Sequence, residues 1–334
     1  MLPPLWEETF PLICTALALP GRSDDRATCS APLDQRDDIT LVCSDSRCGA
    51  EYRINDEIPV LLPPDHSVPT ADYDDELLAQ MYAEMHFATF RTESQPWSGP
   101  SDQTDDPTAL ARALYTASDL TGPFYSAITE TILAHLPSRD GVIADIACGM
   151  ARMAFEFETH GWHGRYVGID LSSRLLSEAR RAFSGEIVST RITADFERSP
   201  RSSVVSIQAP KVSSERSMLA VGDATRLALA SQSCDAVLGL NLIDRVADPA
   251  ATVKELWRCV APGGILVLAD PFQWQHQAPE KRIYSFDPVQ RWLDGAIRVD
   301  LPPNQRNIIF AMRRRASREV MIYDDAVAIF KRTR

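Results

Sequence analysis

The 334 residues carry 34 Lys and Arg against 46 Asp and Glu, a formal net charge of −12, and 45% of them are hydrophobic. This composition buries a large core and excludes intrinsic disorder, while the negative balance opposes binding to a polyanion, so no nucleic-acid partner is expected. No apolar run approaches the roughly 18 residues of a membrane-spanning helix.

Residues 10–19 are apolar enough to imitate the core of an export signal. Glu7 and Glu8 precede them, however, where such a signal carries Lys or Arg, so a cytoplasmic protein is expected. Seven cysteines without an export signal argue against a disulfide framework. Four of them, Cys14, Cys29, Cys43 and Cys48, lie around strand-like runs at 39–42, 52–54 and 58–62, which defines a small β-rich module, residues 1–68, ending near Pro63-Pro64. After a polar stretch at 65–75, Leu77, Leu78, Met81, Tyr82, Met85 and Phe87 recur with near-helical spacing, as do Phe124, Ile128, Ile132 and Leu133. Between them residues 94–107 are rich in Ser, Pro, Gln and Asp. Residues 69–136 therefore read as a helical cap, with helices at 74–91 and 121–136 and a flexible loop that is either a lid or a passive linker.

From Gly141 onward strands (142–147, 166–170, 218–221, 236–240, 265–269) alternate with helices (151–160, 174–183, 250–260), the pattern of a parallel sheet with helices on both faces. A polar stretch at 184–217 is too long for an ordinary connection and is read as an insertion. The runs 308–312 and 320–330 leave no room for a helix between them and should form an antiparallel hairpin at the sheet edge.

The chemistry begins where strand 142–147 runs into Cys148-Gly149-Met150-Ala151 and a helix, a turn that presents backbone N–H groups to a nucleotide-like ligand. Asp170 closes the second strand 21 positions after Gly149, a separation suited to a carboxylate accepting ribose hydroxyls. A dinucleotide site would need G-x-G-x-x-G, and here those positions hold Ala147, Gly149 and Arg152, so a cofactor without phosphates is favoured.

These residues resemble the class I S-adenosylmethionine-dependent methyltransferases, over roughly Gly141 to the last residue. Asp145-Ile-Ala-Cys-Gly149-Met-Ala is similar to the family's first motif, Gly168-Ile-Asp170 to its second, and Gly222-Asp223-Ala224 to the segment whose carboxylate meets the adenine amino group. Cys234-Asp-Ala-Val with Leu240-Asn-Leu242 resembles the fourth strand and its exit, and Pro262-Gly-Gly264 the turn into the fifth. The family commonly has glycine where this chain has Ala147 and Ala151. The resemblance implies a doubly wound, mostly parallel seven-stranded sheet at 137–334, with S-adenosylmethionine held by Asp145, Ala147, Cys148 and Gly149, by Asp170 and Leu171, by Asp223 and Ala224, and by Asn241 and Leu242. Cys148 is read as a packing residue.

Residues 29–62 resemble a zinc-ribbon module that precedes some methyltransferases. Two C-x2-C knuckles are expected in such a module; here Arg26 stands where a partner of Cys29 belongs, the second pair is stretched to C-x4-C, and Cys14 lies in a distant apolar segment. A degenerate module without metal is therefore expected. Acceptor contacts should come from the cap and from the loops after the fourth and fifth strands. Asp244 and Arg245 are the candidates there, with Tyr125 or Tyr82 from the cap facing the reacting methyl; Arg245 either clamps the substrate or pairs with Asp248. The expected activity is methyl transfer to N, S or O of a small polar metabolite. The alternatives are an RNA base methyltransferase, for which Arg313-Arg314-Arg315 is the clearest basic cluster, and a non-catalytic cofactor-binding partner protein.

Overall fold

The computed structural model describes residues 10, 12–16, 29–63, 82, 121–185, 188–194, 201–207, 209–274, 277–314 and 319–333. The helix expected at 74–91, apart from Tyr82, and the loop at 94–107 lie outside the described residues. No helix among the described residues is long and apolar enough to cross a membrane.

The chain begins with a four-stranded antiparallel sheet in sequential order, β1 (Leu33–Asp37), β2 (Thr40–Cys43), β3 (Glu51–Asn55) and β4 (Ile58–Pro59). The polar strand β1 carries no apolar alternation, which is why the sequence pattern misses it. Helix α1 (Gly122–His135) follows; Pro123 in its first turn supplies a pre-set φ and omits a donor the helix cannot use there.

Then come β5 (Val142–Ile146), α2 (Arg152–Thr159), β6 (Arg165–Asp170) and α3 (Ser173–Phe183), the last capped by the Ser172 hydroxyl accepting from Leu175 N. The insertion holds a hairpin of its own, β7 (Val188–Ala194) with β8 (Arg201–Ile207), which among the described residues pairs with neither larger sheet. Its base is closed: Val212 N donates to Phe183 O at 3.0 Å, and a Cβ on Gly185 would lie 3.4 Å from Lys211 Cβ. β9 (Ser217–Val221), β10 (Cys234–Leu240), α4 (Pro249–Cys259) and β11 (Val260–Asp270) complete the alternating part. The chain ends in β12 (Ala296–Arg298), the single-turn α5 (Pro303–Arg306), β13 (Asn307–Arg314) and β14 (Glu319–Arg332).

The main sheet runs β9-β6-β5-β10-β11-β14, parallel as far as β11 and antiparallel between β11 and β14. The expected terminal hairpin forms, with Ile308 opposite Asp325 and Phe310 opposite Tyr323. Among the described residues the sheet has eight strands rather than seven. The three-residue β12 shares the outer side of β14 with β13, and a run that short has no pattern to read.

Alternation along the strands divides the core. Ile143, Leu219, Leu238, Val267 and Ile329 meet Phe124, Ile128, Phe155 and Phe183 of α1 to α3 on one face. Val142, Ala144, Ile146, Leu266 and Phe330 meet α4 and the N-terminal module, through Leu41, Tyr52 and Leu61, on the other. The module also joins the sheet edge, Leu61 N donating to Val221 O at 2.7 Å. Within it the spacing argument against a cysteine cluster fails: the sulfurs of Cys14, Cys29, Cys43 and Cys48 all lie within 4.8 Å of one another. Hydrogen bonds from Cys14 N to Ala31 O and from Ser30 N to Cys14 O carry the distant segment back to the hairpin.

Candidate functional site

The carboxyl ends of the parallel strands converge on the loop after β5. Ala147, Gly149 and Ala151 all have φ between 52° and 60°, the left-handed region that suits glycine. This backbone accounts for the family's glycines, and the two alanines hold it at roughly 1–2 kcal/mol each. Cys148 N and Gly149 N bind the second strand, to Ile169 O at 3.0 Å and to Asp170 Oδ2 at 2.8 Å. The Cys148 sulfur fills the space over Gly168, where a Cβ would come within 2.9 Å of it. Burial, with the negative charges of Asp145 and Asp170, pushes its thiol up, as suits a packed sulfur. Tyr82 covers Gly149 from the other side, its ring 3.6 Å from where a Cβ would stand.

Asp170 Oδ1 accepts from Ser172 N at 2.9 Å, which fixes the carboxylate at the strand end; Leu171 beside it is half-buried. Asp223, beyond β9, accepts from Thr225 N at 2.8 Å and Thr225 Oγ1 at 2.7 Å, and Ala224 packs into the core beneath. Asp145 is buried on the helical face of β5 and accepts from Tyr166 OH at 2.6 Å. Burial pushes its carboxyl up to about 7, against the Tyr166 hydrogen bond and with the charge of Asp170. These acids stand at the ends of three adjacent strands around a loop lacking side-chain bulk at Gly149. That donor set fits a ligand with an amine, a ribose and an aminopurine, as the resemblance implies.

The strands on the other side of β5 end differently. Asn241 after β10 and Phe272 after β11 also have positive φ, 53° and 54°, so both exits turn sharply. Leu242 is buried below. Asp244 and Asp270 stitch the two exits together: Asp270 Oδ2 accepts from Asp244 N at 3.1 Å, Asp270 Oδ1 from Phe272 N at 2.7 Å, and Asp244 Oδ2 from Gln273 N at 2.9 Å. Asp325 joins them, because its strand neighbour Ala326 pairs with Asp270. All three acids are 0% exposed. Burial and the Asp244 charge raise Asp270 to about 7, and burial with the charges of Asp270 and Asp244 raises Asp325 to about 8, with Asn241 opposing the shift. Neither oxygen of Asp325 makes a hydrogen bond among the described residues.

Arg245 pairs with Asp244, Nε to Oδ1 at 3.0 Å, and not with Asp248, which caps α4 through Ala251 N and binds Lys281. Tyr125 on α1 is buried against Phe124 and Phe310, with the Arg152 guanidinium 5.9 Å from its ring centre. Burial raises its phenol well above the usual value, with the Arg152 charge opposing the shift and those of Asp145 and Asp325 adding to it. Arg313 and Arg314 lie on β13, while Arg315 is outside the described residues.

Sequence reasoning missed Asp325. A signal exists: on β14 it shares strand parity with Val327 and Ile329, both buried, which places a carboxyl on a buried face.

Residues 144–268 match the family model described as a methyltransferase domain. No curated protein matches the chain in sequence. Among solved structures, the chain is similar to magnesium protoporphyrin IX methyltransferase from Synechocystis PCC 6803 with bound SAM, at 12% identity over 80% of this chain and 100% of that one, TM-score 0.44. It is similar to a chain of the complex between the Haloferax volcanii Trm112 methyltransferase activator and a methyltransferase, at 16% identity over 64% and 91%, TM-score 0.39. A third is a phosphoethanolamine N-methyltransferase from Haemonchus contortus, at 15% over 54% and 39%, TM-score 0.36.

Proposed function

We propose that this chain, whose residues 144–268 match a methyltransferase domain, is an S-adenosylmethionine-dependent enzyme that methylates a nitrogen of a small, polar, amine-bearing metabolite. The observation that carries the acceptor class is the trio Asp244, Asp270 and Asp325, fully buried beside the cofactor residues with carboxyls raised toward neutrality. Buried carboxyls that repel one another's ionisation are stabilised by a cation placed among them.

When bound, S-adenosylmethionine supplies a methyl group on a sulfonium sulfur, open to direct displacement by a nitrogen lone pair. Asp170 and Asp223 hold the ribose and adenine, and Asp145, fixed by Tyr166, meets the amino-acid end. Asp325 takes the proton that the acceptor nitrogen must lose, a task matched by a carboxyl near 8 at physiological pH. Asp244 and Asp270 orient the amine, and Arg245 screens Asp244 from the outside. Tyr125 closes the apolar wall and keeps water out.

Isothermal titration with S-adenosylmethionine and S-adenosylhomocysteine tests the cofactor, and labelled methyl transfer to matched panels of small amines, thiols, alcohols and RNA tests the acceptor. Transfer to amines is expected. Transfer confined to thiols, alcohols or RNA overturns the acceptor class while leaving the cofactor reading standing.

A further inference from the structure

Four cysteines converge in the N-terminal module from two stretches of chain. We propose that Cys14, Cys29, Cys43 and Cys48 bind one Zn2+ through four thiolates, and that the metal pins the module to the sheet edge from which Asp223 hangs. Cys14 and Cys48 sulfurs are 3.6 Å apart, as are those of Cys29 and Cys43, and no pair in the set exceeds 4.8 Å. A tetrahedron with Zn–S bonds of about 2.3 Å has sulfur edges of about 3.8 Å. The observed spacing is too long for disulfides and close to that tetrahedron.

The surroundings are built to hold the ligands. Cys43 and Cys48 flank a turn closed by Cys43 N to Ala50 O and Cys48 N to Asp45 O, with Gly49 at φ 64°. The segment around Cys14 is laid against Cys29 by Cys29 N to Ala16 O. Tyr52 OH accepts from Thr15 N at 2.9 Å and Ala16 N at 3.1 Å and sits 3.3 Å from the Cys14 sulfur, so its own proton is available to that thiolate. Two of the cysteines are buried and two half-buried, which shields the cluster and leaves an entry path. Four soft thiolates, with no oxygen or imidazole donor grouped with them among the described residues, suit zinc and not a hard cation.

The same segment reaches the catalytic domain. Ile13 N donates to Ala228 O at 3.0 Å, Leu12 bridges Leu229, and Leu61 N donates to Val221 O. Residues 221 and 228–229 are thus tied to the module on both sides of Asp223. That a loosened edge weakens cofactor binding rests on the assignment of Asp223 above, whereas metal content and edge mobility do not.

The test uses the full chain purified under reducing conditions. Elemental analysis is expected to give one zinc per chain, and Co2+ exchanged into the site to give the absorption of a tetrahedral thiolate complex. Removing the metal should accelerate amide exchange across residues 221–229 and weaken S-adenosylmethionine binding several-fold, both reversed by adding Zn2+. Cys14→Ser should lower metal content, and because that variant can misfold, the removal and refilling of the unaltered chain stands as the second measurement. Iron in place of zinc, substoichiometric metal with no cobalt–thiolate band, or two stable disulfides found by mass spectrometry would overturn the site. Unchanged exchange at 221–229 would overturn the pinning. Failure of both metal forms to bind S-adenosylmethionine, with the metal and exchange results intact, would refute the cofactor assignment alone.

Discussion

The two halves of the sheet use their acids in opposite ways. At β6 and β9 the carboxylates are held by their own turns: Asp170 accepts from Gly149 and Ser172, Asp223 from Thr225, and both lie at the rim. At β10, β11 and β14 the acids are fully buried and crowd one another, so that Asp270 and Asp325 reach about 7 and 8. A carboxylate held by backbone amides presents a fixed acceptor. Crowded, buried carboxyls are instead poised to exchange a proton or receive a cation, so one half is suited to holding and the other to reacting.

The contrast can be broken most severely at Asp170. Asp170→Ala removes the acceptor of two backbone amides as well as the proposed ribose contact, and loss of binding by at least about a hundredfold is expected by titration calorimetry, from charged hydrogen bonds of about 1.5–3 kcal/mol each. On the opposite half, Asp325→Asn should lower the methyl-transfer rate by about 10²–10⁴-fold, the usual range for a lost general base, and leave cofactor affinity within a few-fold. Equal damage to both properties in both variants would erase the division.

A pH series sharpens it further. Because Asp325 must be ionised to accept the proton and Asp270 to hold the amine, the rate of transfer at saturating substrate should rise as pH passes from about 6 through about 8. Stability should move the other way. Both groups have folded-state values above the ordinary carboxyl value of 3.8, so the folded chain binds protons more tightly than the unfolded one. That contribution is complete below about 4 and is lost as pH rises through 7 to 8, so these groups lower the melting temperature as pH rises from about 4 to about 8, and Asp325→Asn should flatten the slope there. The smallest effect belongs to the holding half: Ala147→Gly relieves a left-handed alanine at an exposed position and should stabilise the chain by up to about 1 kcal/mol, read as a rise in melting temperature of a few degrees.

What the sequence disclosed follows the same division. The holding half is local: Gly149, Asp170 and Asp223 each sit within a few residues of a strand end and a tight turn, where order and spacing can be read. The reacting half is assembled by pairing. Asp270 and Asp325 stand 55 positions apart in sequence and come together only because β14 runs antiparallel to β11 in one register. The cysteine cluster was hidden for the same reason, since hydrogen bonds between residues 14 to 16 and 29 to 31, and not a knuckle spacing, bring Cys14 to its partners. The short β12 and the polar β1 escaped because neither has an apolar rhythm.

The hairpin β7–β8 enters and leaves the molecule through one doorway, the contact between Gly185 and Lys211 under the hydrogen bond from Val212 to Phe183. Because those ends already meet, the strand that follows is not asked to span any distance the hairpin defines. Lengthening or trimming the excursion changes only the entropy of closing a loop, which grows by about 0.6 kcal/mol per doubling. The unit is therefore detachable: a two- or three-residue splice from Gly185 to Ala209 would leave α3 and β9 where they are. Descendants of this chain can be expected to vary most at this appendage, with the sheet beside it unchanged.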